Sequence, residues 1–255
     1  MTVHIELEDV ELDYPILSQS SRKLSRQLIN VATGGQLDRS EQGKITVRAL
    51  SDITVRLNVG DRVGLIGHNG SGKSTLLRLL GGIYRPTSGR VSREGTIGSL
   101  LDISLGMSPD ATGRENIYLR GALQGMSRAE IGRLVPGIIE FSELGDFIEL
   151  PMRTYSSGML LRLAFSVSTV LAPDILLMDE WLAVGDEAFQ SKAEQRLHEV
   201  VSRTSILVIA SHSANLINGQ CNRVLYLEHG RLVADGPPAD VLPMYFAAPP
   251  KGNDS

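Results

Sequence analysis

The stretch Gly67-His68-Asn69-Gly70-Ser71-Gly72-Lys73-Ser74-Thr75 constrains this chain more than any other. It matches the spacing GxxxxGK[ST], which is informative only between a strand and a helix. Both flanks are present: the apolar run Val63-Gly64-Leu65-Ile66 leads in, and Leu76-Leu77-Arg78-Leu79-Leu80 leads out with helical character. The residue types suit a loop wrapped around phosphate. Gly67, Gly70 and Gly72 remove side chains, so backbone N–H groups can close on an anion. The following helix turns its positive end to the same point. Lys73 then reaches the β- and γ-phosphates of a nucleotide, Ser74 is a ligand for Mg²⁺, and Thr75 offers a hydroxyl to the α-phosphate. The plain alternative is a glycine-rich turn before an ordinary core helix, and it leaves the complete spacing unexplained.

A Mg²⁺ ion held by one serine needs an acidic partner. Two apolar runs, Ile175-Leu176-Leu177-Met178 and Ile206-Leu207-Val208-Ile209, read as central parallel strands covered on both faces. The first ends in Asp179-Glu180 and the second in Ala210-Ser211-His212. Ligands of α/β proteins bind at this edge of the sheet. Asp179 is placed for the metal, and Glu180 for orienting or deprotonating an attacking water. A neutral His212 imidazole beside Glu180 would donate a hydrogen bond to the γ-phosphate. Solvated acids and a structural histidine are the bland counterparts.

The remainder of the chain fits an α/β protein with an antiparallel start and a helical insertion. With 42% hydrophobic and 21% charged residues it belongs to the globular rather than the disordered class. A formal charge of -4 gives no electrostatic reason to expect nucleic acid. Cys221 stands alone, which excludes an internal disulfide and fits a reducing compartment. The start, Met1 to Glu6, lacks the pattern of a secretory signal, and no run approaches the roughly 18 apolar residues of a spanning helix. Work at a membrane would therefore pass through a partner.

Along the chain, residues 3 to 14 alternate as a strand ending in Tyr14, and alternation resumes from Ile45 to Val59. Between them, residues 16 to 45 form an insertion with a short amphipathic helix, Arg22 to Val31, which lies either on lipid or a partner or on its own domain. Residues 103 to 170 form an inserted helical lobe, opened twice by the capping-box pattern, in Thr112-Gly113-Arg114-Glu115 and Ser127-Arg128-Ala129-Glu130. A polar helix covers Glu187 to Ser202, a hairpin turns at His229-Gly230, and residues 246 to 255 are a flexible tail.

These stretches together resemble the nucleotide-binding subunit of ABC transporters, over roughly residues 3 to 245. The discriminating piece is Thr154-Tyr155-Ser156-Ser157-Gly158-Met159, similar to that family's LSGGQ signature with Ser156 and Gly158 in register. Ser157 replaces the first glycine of the pair, Tyr155 the leucine and Met159 the glutamine. The resemblance implies a P-loop cassette with a mainly parallel central sheet, an N-terminal antiparallel β subdomain and a helical lobe. It further implies that Tyr14 stacks on adenine, against the reading of a half-buried strand aromatic. The turn around Ser156, Ser157 and Gly158 of one copy would close on the γ-phosphate held by a second copy. Asp186 matches the aspartate that communicates between the two sites. The glutamine that usually joins sheet and lobe is missing, with Asp102 in its register as a replacement metal contact.

Thr112-Gly113-Arg114-Glu115-Asn116-Ile117, the Tyr-Ser-Ser-Gly-Met turn, Trp181-Leu182-Ala183-Val184-Gly185-Asp186 and the early insertion are similar to ATPases of polysaccharide exporters. That resemblance implies an ATP- and Mg²⁺-dependent homodimer that drives a separate transmembrane permease from the cytoplasmic face of the membrane. The insertion helix would approach the permease or the membrane surface. The chain is too short for the extra carbohydrate-binding domain of some members. The rivals are an importer or a drug or lipid exporter subunit, a soluble cassette acting on ribosomes or DNA, and a kinase or GTPase with the same loop.

Overall fold

The computed structural model describes residues 2–15, 37–39, 45–101, 103, 106–181 and 187–247. The insertion helix Arg22 to Val31, Asp102, Asp186 and the segment after Ala247 lie outside the described residues. The elements begin with strands β1 (His4–Pro15), β2 (Leu37–Arg39), β3 (Ile45–Asn58) and β4 (Arg62–Ile66), then helix α1 (Lys73–Leu80) and strands β5 (Ser88–Glu94) and β6 (Ile97–Ser99). Helices α2 (Gly113–Leu123), α3 (Arg128–Ser142) and α4 (Ser157–Ser168) follow. Then come β7 (Ile175–Asp179), α5 (Glu187–Arg203), β8 (Ile206–Ala210), α6 (Ala214–Gln220), β9 (Arg223–Glu228), β10 (Arg231–Gly236) and α7 (Pro238–Ala247). The described residues fall into two compact units, one of residues 1–97, 174–181 and 205–255, the other of 98–173 and 182–204.

The first unit holds an antiparallel sheet in the order β2-β3-β1-β5. In β1 the buried residues are Ile5 and Leu7, then Val10 and Leu12, so the inward parity changes midway. A bulge causes the change. Asp9 turns into the left-handed region (φ 48°), its N–H and carboxylate both bonded to the Thr54 hydroxyl at 2.9 Å. Gly89 of β5 makes room for that bulge, since a side chain there would strike the Glu8 and Asp9 carbonyls. Asp52 (φ 57°) accompanies the same parity change in β3, between Leu50 and Ile53.

The second sheet runs β10-β9-β4-β8-β7-β6. β9, β4, β8 and β7 are mutually parallel, and β10 closes a hairpin on β9. Burial on both faces explains why these strands read as unbroken apolar runs: every residue of β8 is buried, as are the last four of β4. Register then does the positioning. Leu65 and Asp179 are both aligned with Ala210, so β4, β7 and β8 end together. Whatever follows each strand emerges at one edge.

The second unit is helical. Both predicted capping boxes form, Thr112 with Glu115 and Ser127 with Glu130, each side chain bonding the other's backbone N–H. Ile117, Ile131, Val135, Ile148, Tyr155 and Leu163 share one core. Phe141, Phe165 and Phe189 form a ring cluster with centroids 5.6 to 6.4 Å apart, gathering α5 with α3 and α4. Thr112→Ala is expected to lower stability by about 1 kcal/mol, the usual worth of a lost N-cap, read as a lower urea midpoint with an unchanged slope.

Candidate active site

At the common edge of β4, β7 and β8 a cleft of about 500 Å³ opens in the first unit. Its walls carry Tyr14, Asn69, Gly70, Gly72, Lys73, Ser74, Thr75, Asp179, Glu180 and His212, drawn from four separated parts of the chain. The loop after β4 has its strain where the glycines are, with φ of 148° at Gly67, 78° at Gly70 and 107° at Gly72. A Cβ on Gly67 would meet the Leu227 carbonyl and the Ser71 hydroxyl. Ser71 itself is buried beneath the loop. Gly72 caps α1 without a side chain, which leaves the first N–H groups of the helix to serve an anion. At the far end of α1, Arg93 donates to the Leu79 and Leu80 carbonyls and ties the helix down.

Lys73 closes on its own loop, with Nζ donating to the Gly67 carbonyl at 2.6 Å and to the His68 carbonyl at 3.1 Å. Burial holds the ammonium below the usual lysine range, while Asp179 and Glu180 pull it back up. The Ser74 hydroxyl donates to Asp179 Oδ2 at 2.6 Å. A hydroxyl and a carboxylate in contact are the hard oxygen donors that Mg²⁺ prefers, so these two residues fit the ion. Glu180 adopts a left-handed backbone (φ 69°), and its carboxylate accepts from Ser211 Oγ at 2.8 Å and from the His212 N–H at 3.1 Å. The expected neighbourhood of Glu180 and His212 is therefore present, made through the His212 backbone.

Tyr14 lies at the cleft wall with its ring edge-on to Tyr84 at 5.5 Å. Burial raises its phenol to about 12 against an opposing hydrogen bond with Thr75. His68 is not among the residues lining the cleft and packs on Tyr245 of α7, ring centres 5.2 Å apart, while the Tyr245 hydroxyl donates to the Gly67 carbonyl at 3.4 Å. The hairpin turn contributes more than the sequence indicates. His229 and Gly230 line the cleft, Gly230 N–H donates to the Ser71 carbonyl at 2.9 Å, and its own carbonyl accepts from Ser51 N–H at 2.8 Å. A side chain on Gly230 would strike the Ala49 carbonyl. Val47 and Arg48 of β3 complete that wall.

In the helical unit, Ser156 caps α4 by accepting from the Met159 N–H at 3.2 Å. Ser156 and Ser157 are exposed and Gly158 is partly so, whereas Tyr155 is 8% exposed and donates its hydroxyl to the Phe147 carbonyl at 2.6 Å. The turn thus offers its two serines and glycine outward, and its tyrosine is an anchor. Among the described residues no helix is long and apolar enough to cross a membrane, and no cluster of three metal-ligating side chains occurs.

A family model described as ABC transporter matches residues 50–183. An O-antigen export system ATP-binding protein of Yersinia enterocolitica is 48% identical, over 88% of this chain and 93% of that protein. Another of that description from Klebsiella pneumoniae is 44% identical over 78% and 81%. A teichoic acids export ATP-binding protein of Staphylococcus haemolyticus is 36% identical over 96% and 89%. Among solved structures, a dimeric ATP-binding cassette bound to ADP and Pi in a post-hydrolysis state aligns with a TM-score of 0.64 at 20% identity, covering 91% of this chain and 98% of that one. An ATP-binding subunit of an ABC transporter aligns at 0.68 and 20%, covering 96% and 94%. The cassette fold that the motifs imply is the fold observed, and the chain belongs to the ABC transporter family as an ATP-binding subunit, an ATPase.

Proposed function

We propose that this ATPase powers outward movement of a polysaccharide or lipid-linked glycan through a separate transmembrane permease, from the cytoplasmic face of the membrane. The reading is carried by one observation: 48% identity, sustained over 88% of the chain, to a protein described as an O-antigen export ATP-binding subunit. The teichoic acids exporter extends it to a second glycan class.

In this reading the cleft takes ATP. Gly67, His68, Asn69, Gly70, Ser71 and Gly72 form the backbone cradle, Lys73 leaves the Gly67 and His68 carbonyls for the β- and γ-phosphates, Thr75 meets the α-phosphate, and Tyr14 stacks on adenine. Ser74 and Asp179 would hold Mg²⁺, which supplies charge neutralisation on the phosphates. Asp102 is the further metal contact proposed from its register. Glu180 takes the proton of the attacking water, and the His212 imidazole steadies the γ-phosphate. Two copies sandwich two nucleotides, with Ser156, Ser157 and Gly158 of one protomer turned to the γ-phosphate bound by its partner, as a helix N-terminus favours. Hydrolysis reopens the pair.

Deleting the gene and assaying lipid-linked glycan tests this. Undecorated glycan should accumulate inside the membrane, cleared by the wild-type chain and not by Glu180→Gln. Unchanged glycan display in the deletion strain would overturn the export reading while leaving the ATPase in place.

A further inference from the structure

We propose that Ser211 is a positioning residue for Glu180: its hydroxyl fixes the carboxylate in the orientation from which it accepts the proton of the attacking water. The proposal rests on the reading of Glu180 as general base.

The geometry leaves the hydroxyl little choice. The Ser213 N–H donates to Ser211 Oγ at 3.1 Å, so that oxygen is already an acceptor on one side. Its single proton then goes to Glu180 Oε2, 2.8 Å away. Ser211 is 2% exposed, so water does not compete for the hydroxyl. The residue is anchored in turn, with its N–H on the Leu65 carbonyl of β4 at 3.2 Å, next to the strand end that leads into the phosphate loop. Ser213 is held by its own role as cap of α6, accepting from the Leu216 N–H at 3.3 Å.

Glu180 is held at both ends by the same segment. Its N–H donates to the Ala210 carbonyl at 2.9 Å, and its Oε1 accepts from the His212 N–H at 3.1 Å. One donor on each carboxylate oxygen leaves further lone pairs on both, so the group is oriented and still able to accept from water. A free glutamate on an exposed loop samples many rotamers, and one misplaced by about 1 Å can lose on the order of 10²-fold in rate. Of the two donors that prevent this, the backbone N–H of His212 could be removed only by proline, which would delete the imidazole as well, whereas the Ser211 hydroxyl can be removed alone. A core serine whose contribution is stability alone would act on folding and leave the chemical step untouched.

The test uses the full-length chain with Ser211→Ala and with Ser211→Cys, which keeps the side-chain volume and a weak donor. ATPase kcat and KM are measured with the Kd of a fluorescent ATP analogue, each in the wild-type and Glu180→Gln backgrounds. Ser211→Ala is expected to lower kcat about 10- to 100-fold, the factor that a hydrogen bond to a charged group is worth, with Ser211→Cys between it and wild type. KM and Kd should stay within about twofold. In the Glu180→Gln background the second substitution should bring no comparable further loss. An unchanged kcat in both variants, or a full additional loss on top of Glu180→Gln, would overturn the positioning role. Wild-type turnover of Glu180→Gln alone would instead overturn the assignment of Glu180, a distinguishable result.

Discussion

Glu180→Gln is expected to bind ATP, fail to cleave it and accumulate as a nucleotide-locked dimer, with turnover reduced about 10²- to 10³-fold, within the range that a general base supplies. The amide replaces a carboxylate that accepts two hydrogen bonds, from Ser211 Oγ and the His212 N–H. Its oxygen can keep the His212 N–H, and its nitrogen can donate to a lone pair of Ser211 Oγ once that hydroxyl rotates. The loop therefore keeps its shape while the proposed proton acceptor is gone. Stoichiometric ATP retention on a filter, with a doubled mass by light scattering in ATP, would confirm the outcome. Wild-type hydrolysis would remove Glu180 from its role, and a slow enzyme that remains a monomer in ATP would count against the sandwich.

Lys73→Met is expected to abolish ATP binding with little change to the protein that has no nucleotide. Lys73 is 8% exposed and spends its ammonium on the Gly67 and His68 carbonyls. Two opposed effects of about 1 to 3 kcal/mol each then come into play on replacement: two carbonyls lose a donor, and a buried cation no longer has to be desolvated. Met keeps the stem, so packing survives. With triphosphate present the balance is one-sided, because charge-assisted bonds of about 1.5 to 3 kcal/mol each disappear. Affinity should fall at least about 100-fold. Saturating ATP at 100 times Kd stabilises a native site by about 2.7 kcal/mol; that thermal shift should be present in the wild type and missing in Lys73→Met. An equal shift in both would place the nucleotide elsewhere.

The parts of this site that could be read from sequence are those with local grammar. The glycine spacing from Gly67 to Gly72 encodes its own positive φ values, and the apolar runs ending at Met178 and Ile209 foretell where two parallel strands stop. Other contributors have no such grammar. His229-Gly230 reads as a hairpin turn and nothing in its neighbours says that it backs the phosphate loop; the link to Ser71 is made by tertiary folding. Helix α7 escapes notice because Pro238 and Pro243 weaken the helical pattern, although Pro238 stands at the first position, where proline costs nothing. Phe189 draws α5 to the helical unit through rings remote in sequence. Tyr155 falls in the signature turn by its resemblance to the family's motif, but its burial is reached only in the tertiary fold, where a Cβ on Gly113 would crowd the tyrosine hydroxyl. Ser211 was visible only as the residue before a histidine.

The cleft draws its walls from Tyr14, from the loop after β4, from the ends of β7 and β8 and from the β9 hairpin, and β4 takes its backbone partners from β8 and β9. On the ribosome, the loop leaves the exit tunnel long before the strands that flank it. A chain released between those moments would carry the whole nine-letter phosphate motif and still have nowhere to put a nucleotide. Scanning such a fragment would label it an ATP binder; titrating it would not.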